Sequence, residues 1–245
     1  MNKENKLIYE GKAKKIFAHE DPEKVIIEFK DDATAFNAMK KSKYEGKGKL
    51  NCMISKNIFK HLMSYDIPTH YINSSSDISF IGQKLEIIPL EVVVRNIAFG
   101  SICKQTNIKP GTKFDNPLID YYLKNDELND PLLTIDRIKL INVVKTQELF
   151  DINKITLKIN EILSEFFLNI QLKLVDFKVE FGRNSSGHIV LGDEFSPDNC
   201  RLWDLKANNG KIKSLDKDLF RNDLGDLIEA YNEINTRIQN FISST

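Results

Sequence analysis

The chain has 245 residues, and its 35 Lys plus Arg are balanced by 35 Asp plus Glu, so its formal charge is zero. That size suits one large domain or two lobes around a sizeable core. The neutral balance argues against a duplex-DNA binder, which needs excess positive charge to displace counterions from phosphate.

The N-terminal third is rich in strands. Leu7-Ile8-Tyr9, Lys15-Ile16-Phe17 and Val25-Ile26-Ile27-Glu28-Phe29 are short β-branched or aromatic runs, separated by the turn signals Gly11 and Asp21-Pro22. The spacing of Ile54, Ile58 and Leu62, with Pro68 beyond, predicts a helix over residues 51–65. Strands follow around residues 69–72, 85–88 and 91–95, and residues 105–144 are the least regular part, with a polar loop over 124–131. Two amphipathic helices are expected. One covers 152–170, with Ile152, Ile155, Ile159, Ile162, Phe166 and Ile170 inward; the other covers 219–241, with Phe220, Leu224, Leu227, Tyr231, Ile234, Ile238 and Phe241 inward. Between them a hairpin pairs 172–181 with 188–195 across Arg183-Asn184-Ser185-Ser186-Gly187. Strands first and mixed elements later predict a two-lobed α+β fold.

No apolar run approaches the roughly 18–20 residues that span a bilayer. The opening Met1-Asn2-Lys3-Glu4-Asn5-Lys6 leads into no apolar signal core, so a cytoplasmic protein with neither membrane nor nucleic-acid partners is expected. Cys52, Cys103 and Cys200 are widely spaced and lack a CxxC, which reads as reduced thiols.

The hairpin carries the clearest chemistry. With a period of two, Asp176, Lys178 and Glu180 share one face of the first strand. A turn centred near Asn184-Ser185 sets Asp193 opposite Asp176 on that face. Carboxylates facing one another are unfavourable unless a cation sits between them, and an Asp/Glu oxygen cluster suits Mg²⁺, which takes a few carboxylates plus substrate phosphates. The following Gly192–Asp204 segment is acidic and turn-rich, and it holds the only Trp. Elsewhere, Gly11-Lys12-Ala13-Lys14-Lys15 is neither a Walker A loop nor GxGxxG, yet its lysines suit a polyphosphate. Positive charge comes from 29 Lys and only 6 Arg, so each Arg points to a place that needs a planar fork. Arg95 closes the run Leu90-Glu91-Val92-Val93-Val94, and with Gly100-Ser101 it makes a candidate phosphate-monoester pocket.

Taken together, these segments resemble the SAICAR synthetase family, the phosphoribosylaminoimidazole-succinocarboxamide synthases of purine biosynthesis. The resemblance runs nearly end to end: LIYEGKAKKIF at 7–17, PLEVVVRNIAFGS at 89–101, YLKNDELNDP at 122–131, LVDFKVEFG at 174–182, VLGDEFSPDNCRLWD at 190–204 and DKDLFRNDLGDLIEAY at 216–231. It implies a nucleotide-covering antiparallel-sheet lobe over residues 1–88 and a larger α/β lobe over 89–245 for substrate and metal, ending in a helix. It also implies ligation of the carboxylate of carboxyaminoimidazole ribonucleotide (CAIR) to the amine of L-aspartate, with ATP, Mg²⁺ and a homodimer. By the same resemblance Lys12, Ala13, Lys14 and Lys124 contact ATP, with Ile16 and Val25 walling the base, and Glu180 and Asp193 hold Mg²⁺-ATP. Arg95, Ser101 and Arg201 hold the CAIR phosphate, Lys178 and Asp176 lie near its carboxylate, and Arg221 belongs to the same pocket. Two positions depart from the family: Thr34 stands where Ser is frequent and keeps the hydroxyl, while Asn37 stands where Asp is frequent and loses a charge. A small-molecule kinase and a non-catalytic nucleotide-binding module are the rival readings.

Overall fold

The computed structural model describes residues 6–35, 39–206 and 213–244, so Asn37 lies outside the described residues. The strands β1 (Leu7–Glu10), β2 (Lys14–Ala18) and β3 (Lys24–Phe29) form an antiparallel meander. A small hairpin, β4 (Asp32–Ala35) and β5 (Lys40–Lys43), leads into helix α1 (Lys47–Met63). β6 (Tyr71–Ser74) and β7 (Ser79–Gln83) then complete a first sheet in the order β1-β2-β3-β7-β6. The apolar stripe predicted for the helix is confirmed: Ile54, Ile58 and Leu62 are buried, with Phe59 among the rings of His70, Tyr71 and Phe80.

A second sheet follows. β8 (Glu86–Ile97) fuses the two strands expected at 85–88 and 91–95. Pro89, which has no N–H to give a ladder, sits where the register with the neighbouring strand slips, a position that tolerates it. After the short helix α2 (Ser101–Thr106) comes β9 (Lys113–Leu123), an eleven-residue strand inside the region expected to be irregular. Its residues are mostly exposed or half-buried, so hydrophobic alternation did not reveal it. β10 (Leu132–Leu133), α3 (Ile135–Ile141) and α4 (Thr146–Asn169) lead to β11 (Leu172–Arg183), β12 (Ile189–Leu191) and β13 (Cys200–Asp204). The sheet order is β10-β9-β8-β11-β12, with β13 also on β11. β11 is therefore a central strand whose two ends share different partners along one edge. On its apolar face α4 packs Ile152, Ile159, Phe166 and Phe167, each worth about 1.5–3 kcal/mol of buried surface.

The long helix expected over 219–241 is two helices, α5 (Asp218–Asn222) and α6 (Leu227–Ser244). Asp223 takes a left-handed conformation (φ 53°) that ends α5, and the Asp226 side chain accepts from the amides of Ile228 and Glu229 to start α6. Leu224, expected inward, lies in this break and is exposed, whereas Leu227, Tyr231, Ile234 and Ile238 are buried, and α6 packs on α1.

The hairpin register also differs from expectation. Asn184 accepts from the amides of Ser186 and His188, which moves the turn centre toward Ser186, and the ladder runs Phe181↔Leu191, Gly182↔Val190 and Arg183↔Ile189. The second strand stops at Leu191 rather than Phe195. Asp193 is consequently not opposite Asp176, which faces Arg95 of β8 on one side and Arg201 of β13 on the other.

Candidate active site

Two adjoining clefts open around the polar face of β11. The first, of about 490 Å³, lies between the sheets and is roofed by the β1–β2 turn, with Lys12, Ala13, Lys14, Ile16 and Val25 lining it and Lys124, Lys178, Glu180 and Asp193 below. The residues expected to bind a nucleotide are thus brought together. Asp193 reaches this cleft because its left-handed backbone (φ 58°) turns the chain out of the ladder just after Gly192, whose amide still donates to the Glu180 carbonyl at 2.9 Å. Glu180 and Asp193 meet through one ammonium: Lys178 Nζ is 2.5 Å from Glu180 Oε1 and 3.8 Å from Asp193 Oδ2, and it also bonds Glu91 at 2.7 Å.

Three more lysines of the cleft carry close acid partners. Lys14 pairs with Asp193, and with Glu194 at 3.0 Å; Lys124 pairs with Glu180; Lys12, at the exposed mouth, pairs with Asp126 at 2.6 Å. Burial alone would favour a neutral Lys178, but Glu180, Asp193 and Glu91 outweigh it and hold its pKa well above the ordinary lysine value. Burial likewise opposes charge on Asp193, and Lys14, Lys178 and Lys124 overcome it, holding the carboxyl far below its usual range. Lys178 and Asp193 are therefore held in their charged forms by one another and by their neighbours.

The second cleft, of about 440 Å³, gathers Arg95, Ser101, Asp176, Arg201 and Arg221. Arg95 is buried; its Nε donates to Asp120 at 2.8 Å and its Nη2 to Ser101 Oγ at 3.1 Å and Tyr122 OH at 3.2 Å. Arg201 donates to Asp176 and Asp218, both at 2.7 Å, and Arg221 to the other Asp218 oxygen at 2.6 Å. Gly100 (φ 70°) lets this crowd form, since a Cβ there would stand 2.8 Å from Arg201 Nη2. Burial raises the Asp176 pKa although Arg201 and Arg95 pull it down.

The two clefts share Glu91, Asp130, Lys178, Asp198 and Asn199 as a common wall. Lys178 is therefore where their contents can meet. Sequence reading missed Glu91, Asp120, Tyr122, Asp130 and Asp218, whose partners are set by strand register and by the α5 fold. Glu194 and Asp198 lay in the acidic segment already singled out, but nothing local ranked them.

The SAICAR synthetase family model matches residues 7–238. The chain belongs to the SAICAR synthetase family. A phosphoribosylaminoimidazole-succinocarboxamide synthase of Prochlorococcus marinus subsp. pastoris (strain CCMP1986 / NIES-2087 / MED4) is 68% identical over 242 residues, covering 99% of this chain and 100% of the relative. Among solved SAICAR synthetases, that of Ehrlichia chaffeensis superposes with a TM-score of 0.92 at 45% identity, covering 96% of this chain and 98% of the other. A type-2 SAICAR synthetase in complex with ADP gives 0.90 at 47% identity, covering 95% and 97%. The expected enzyme class is met, and so is the two-lobed α+β fold. Among the described residues, no helix is long and apolar enough to cross a membrane.

Proposed function

We propose that this SAICAR synthetase joins the 4-carboxylate of CAIR to the amine of L-aspartate, with ATP converted to ADP and phosphate through an acyl phosphate. The observation that carries the reading is Lys178, shared by a lysine- and acid-lined cleft and an arginine-lined one. A structural relative holds ADP, which supports nucleotide in the first cleft. Three arginines and a serine in the second support a ribonucleotide phosphate.

A carboxylate acylates poorly because its leaving group would be oxide. Attack of the CAIR carboxylate on the γ-phosphorus gives a mixed anhydride whose leaving group is phosphate, and the aspartate amine then attacks its carbonyl carbon. Lys178 neutralises the attacking carboxylate and holds it in line. Lys12 and Lys14 lie along the phosphates, Lys124 reaches the same tail, and Asp176 fixes the arginines that surround CAIR. Arg95, Ser101, Arg201 and Arg221 grip the distant phosphate, supplying binding energy used for positioning.

Glu180 and Asp193 fit Mg²⁺: both carboxylates face one ammonium, so one cation can span them. Glu180 and Asp193 are the residues that would hold the ion, together with oxygens of the nucleotide. Such an ion would supply positive charge against the charge that builds on the transferring phosphoryl group. The division into lobes 1–88 and 89–245, the cytoplasmic location and the homodimer belong to the same proposal; sedimentation at monomer mass would remove the dimer.

Incubation with ATP and CAIR, with and without aspartate, tests the reaction. Amide and free phosphate formed only with aspartate are expected. A stable phosphorylated product without aspartate would mean a kinase, and nucleotide binding without turnover a non-catalytic module.

A further inference from the structure

Lys217 immediately precedes α5 and lines the first cleft, with its side chain 13% exposed. The nearest carboxylate to its ammonium is Asp198, at 3.8 Å. That carboxylate is already committed. Its Oδ2 accepts from the fully buried Lys47 at 2.5 Å, and its Oδ1 from the Tyr231 hydroxyl at 2.7 Å. Two ammoniums thus face one carboxylate, and among the described residues no acceptor lies within hydrogen-bonding distance of Lys217 Nζ. A mostly buried cation in this condition is costly unless an anion joins it. Burial pulls its pKa below the ordinary lysine value; Asp198 and Glu194 oppose this, while Lys47 and Arg221 add to it.

Position narrows the anion. Asp198 belongs to the wall shared by both clefts, so Lys217 stands beside the junction. Lys12, Lys14, Lys124 and Lys178 each carry a close carboxylate and Lys84 is exposed to solvent, which leaves Lys217 as the under-paired cation held away from water on this side. In the reaction proposed above, the amine must reach the acyl carbon next to Lys178, and the group anchoring that amine's owner must lie at the same wall. Resting on that reading, we infer that Lys217 binds a carboxylate of the amino-acid co-substrate and so sets where its amine approaches.

Steady-state kinetics of Lys217→Met and Lys217→Arg, varying each substrate in turn, test this. Loss of one charged hydrogen bond should raise the KM for aspartate about tenfold or more in the methionine variant, leave the KM for ATP and CAIR within about twofold, and be partly restored by arginine. An unchanged aspartate KM, an equal rise for all three substrates, or a rise confined to ATP would overturn the inference. A second measurement needs no variant: carbamylation of Lys217 by cyanate in the native protein, followed by peptide mass spectrometry with ADP present. Aspartate should slow it; an unaltered rate would overturn the inference. Wild-type protein that forms no amide from ATP, CAIR and aspartate would instead sink the reaction itself, so the two failures are distinguishable.

Discussion

Lys178 lies within 4 Å of three carboxylates, yet it stays protonated because their combined field exceeds the cost of its burial. In the proposed reaction this places a lasting positive charge where the two anionic substrates would meet, as phosphoryl transfer needs. Removing one such contact typically costs about 2.7–4 kcal/mol of barrier, so Lys178→Ala should lower kcat at least about a hundredfold. Near-normal turnover in the folded variant would remove Lys178 from the mechanism. Arg95→Lys replaces a fork bonded to Asp120, Ser101 and Tyr122 with a point charge, and a raised KM for CAIR is expected; an unchanged value would contradict the pocket. The scarcity of arginine made part of this legible. Arg95, Arg201 and Arg221 do gather in one cleft, but Arg183 and Arg237 serve ion pairs with Glu148 and with Asp204 and Glu233. Residue type alone does not separate those uses, because a fork suits a structural carboxylate as well as a substrate phosphate.

At the scale of elements, alternation along β11 showed which side chains share a face, since that follows from strand geometry alone. What they face was hidden, because the Asn184 turn and the left-handed Asp193 set the register. Glu180 and Asp193 reach one cleft by a bend in the chain rather than by cross-strand pairing. The apolar stripe of α6 was equally legible, but its break from α5 rests on Asp223 and Asp226, whose capping a hydrophobic period does not see. Tyr231 of α6 ties this helix to the Asp198 loop through a buried bond to a charged group. Tyr231→Phe should therefore destabilise the protein by about 1.5–3 kcal/mol, read as a lower urea midpoint. An unchanged midpoint would show that the phenol does not hold the loop.

Over the whole molecule, the first sheet and the long second sheet close on a site where acids and bases are almost all paired, and this shapes its response to pH. His70, packed against Phe59 and Phe80, has its pKa pushed by burial, with Lys14 adding to it, from 6.5 down to about 4. Its Nε2 is buried with no hydrogen-bond partner among the described residues. Because the folded pKa lies below the unfolded one, the unfolded chain binds more protons between these values, and His70 removes stability as pH falls through that window. Asp216 acts oppositely. Burial, with Asp218 adding to it, raises its pKa from 3.8 to about 6, so its contribution is full below 3.8 and lost as pH rises through 6. Glu148, lowered to about 2 by its bond to Arg183, contributes above 4.5 and loses that contribution only in stronger acid. Urea midpoints at pH 7 and pH 5 should therefore fall more on acidification for wild type than for His70→Gln, and equal falls would contradict this account.

The most direct test of the two-cleft site is a crystal structure with ADP, Mg²⁺ and CAIR bound together. The account predicts one cation touching both Glu180 and Asp193, the imidazole carboxylate on Lys178 Nζ, and the ribonucleotide phosphate among Arg95, Ser101 and Arg201. A cation held away from those two acids, or CAIR lying outside the arginine cleft, would contradict it.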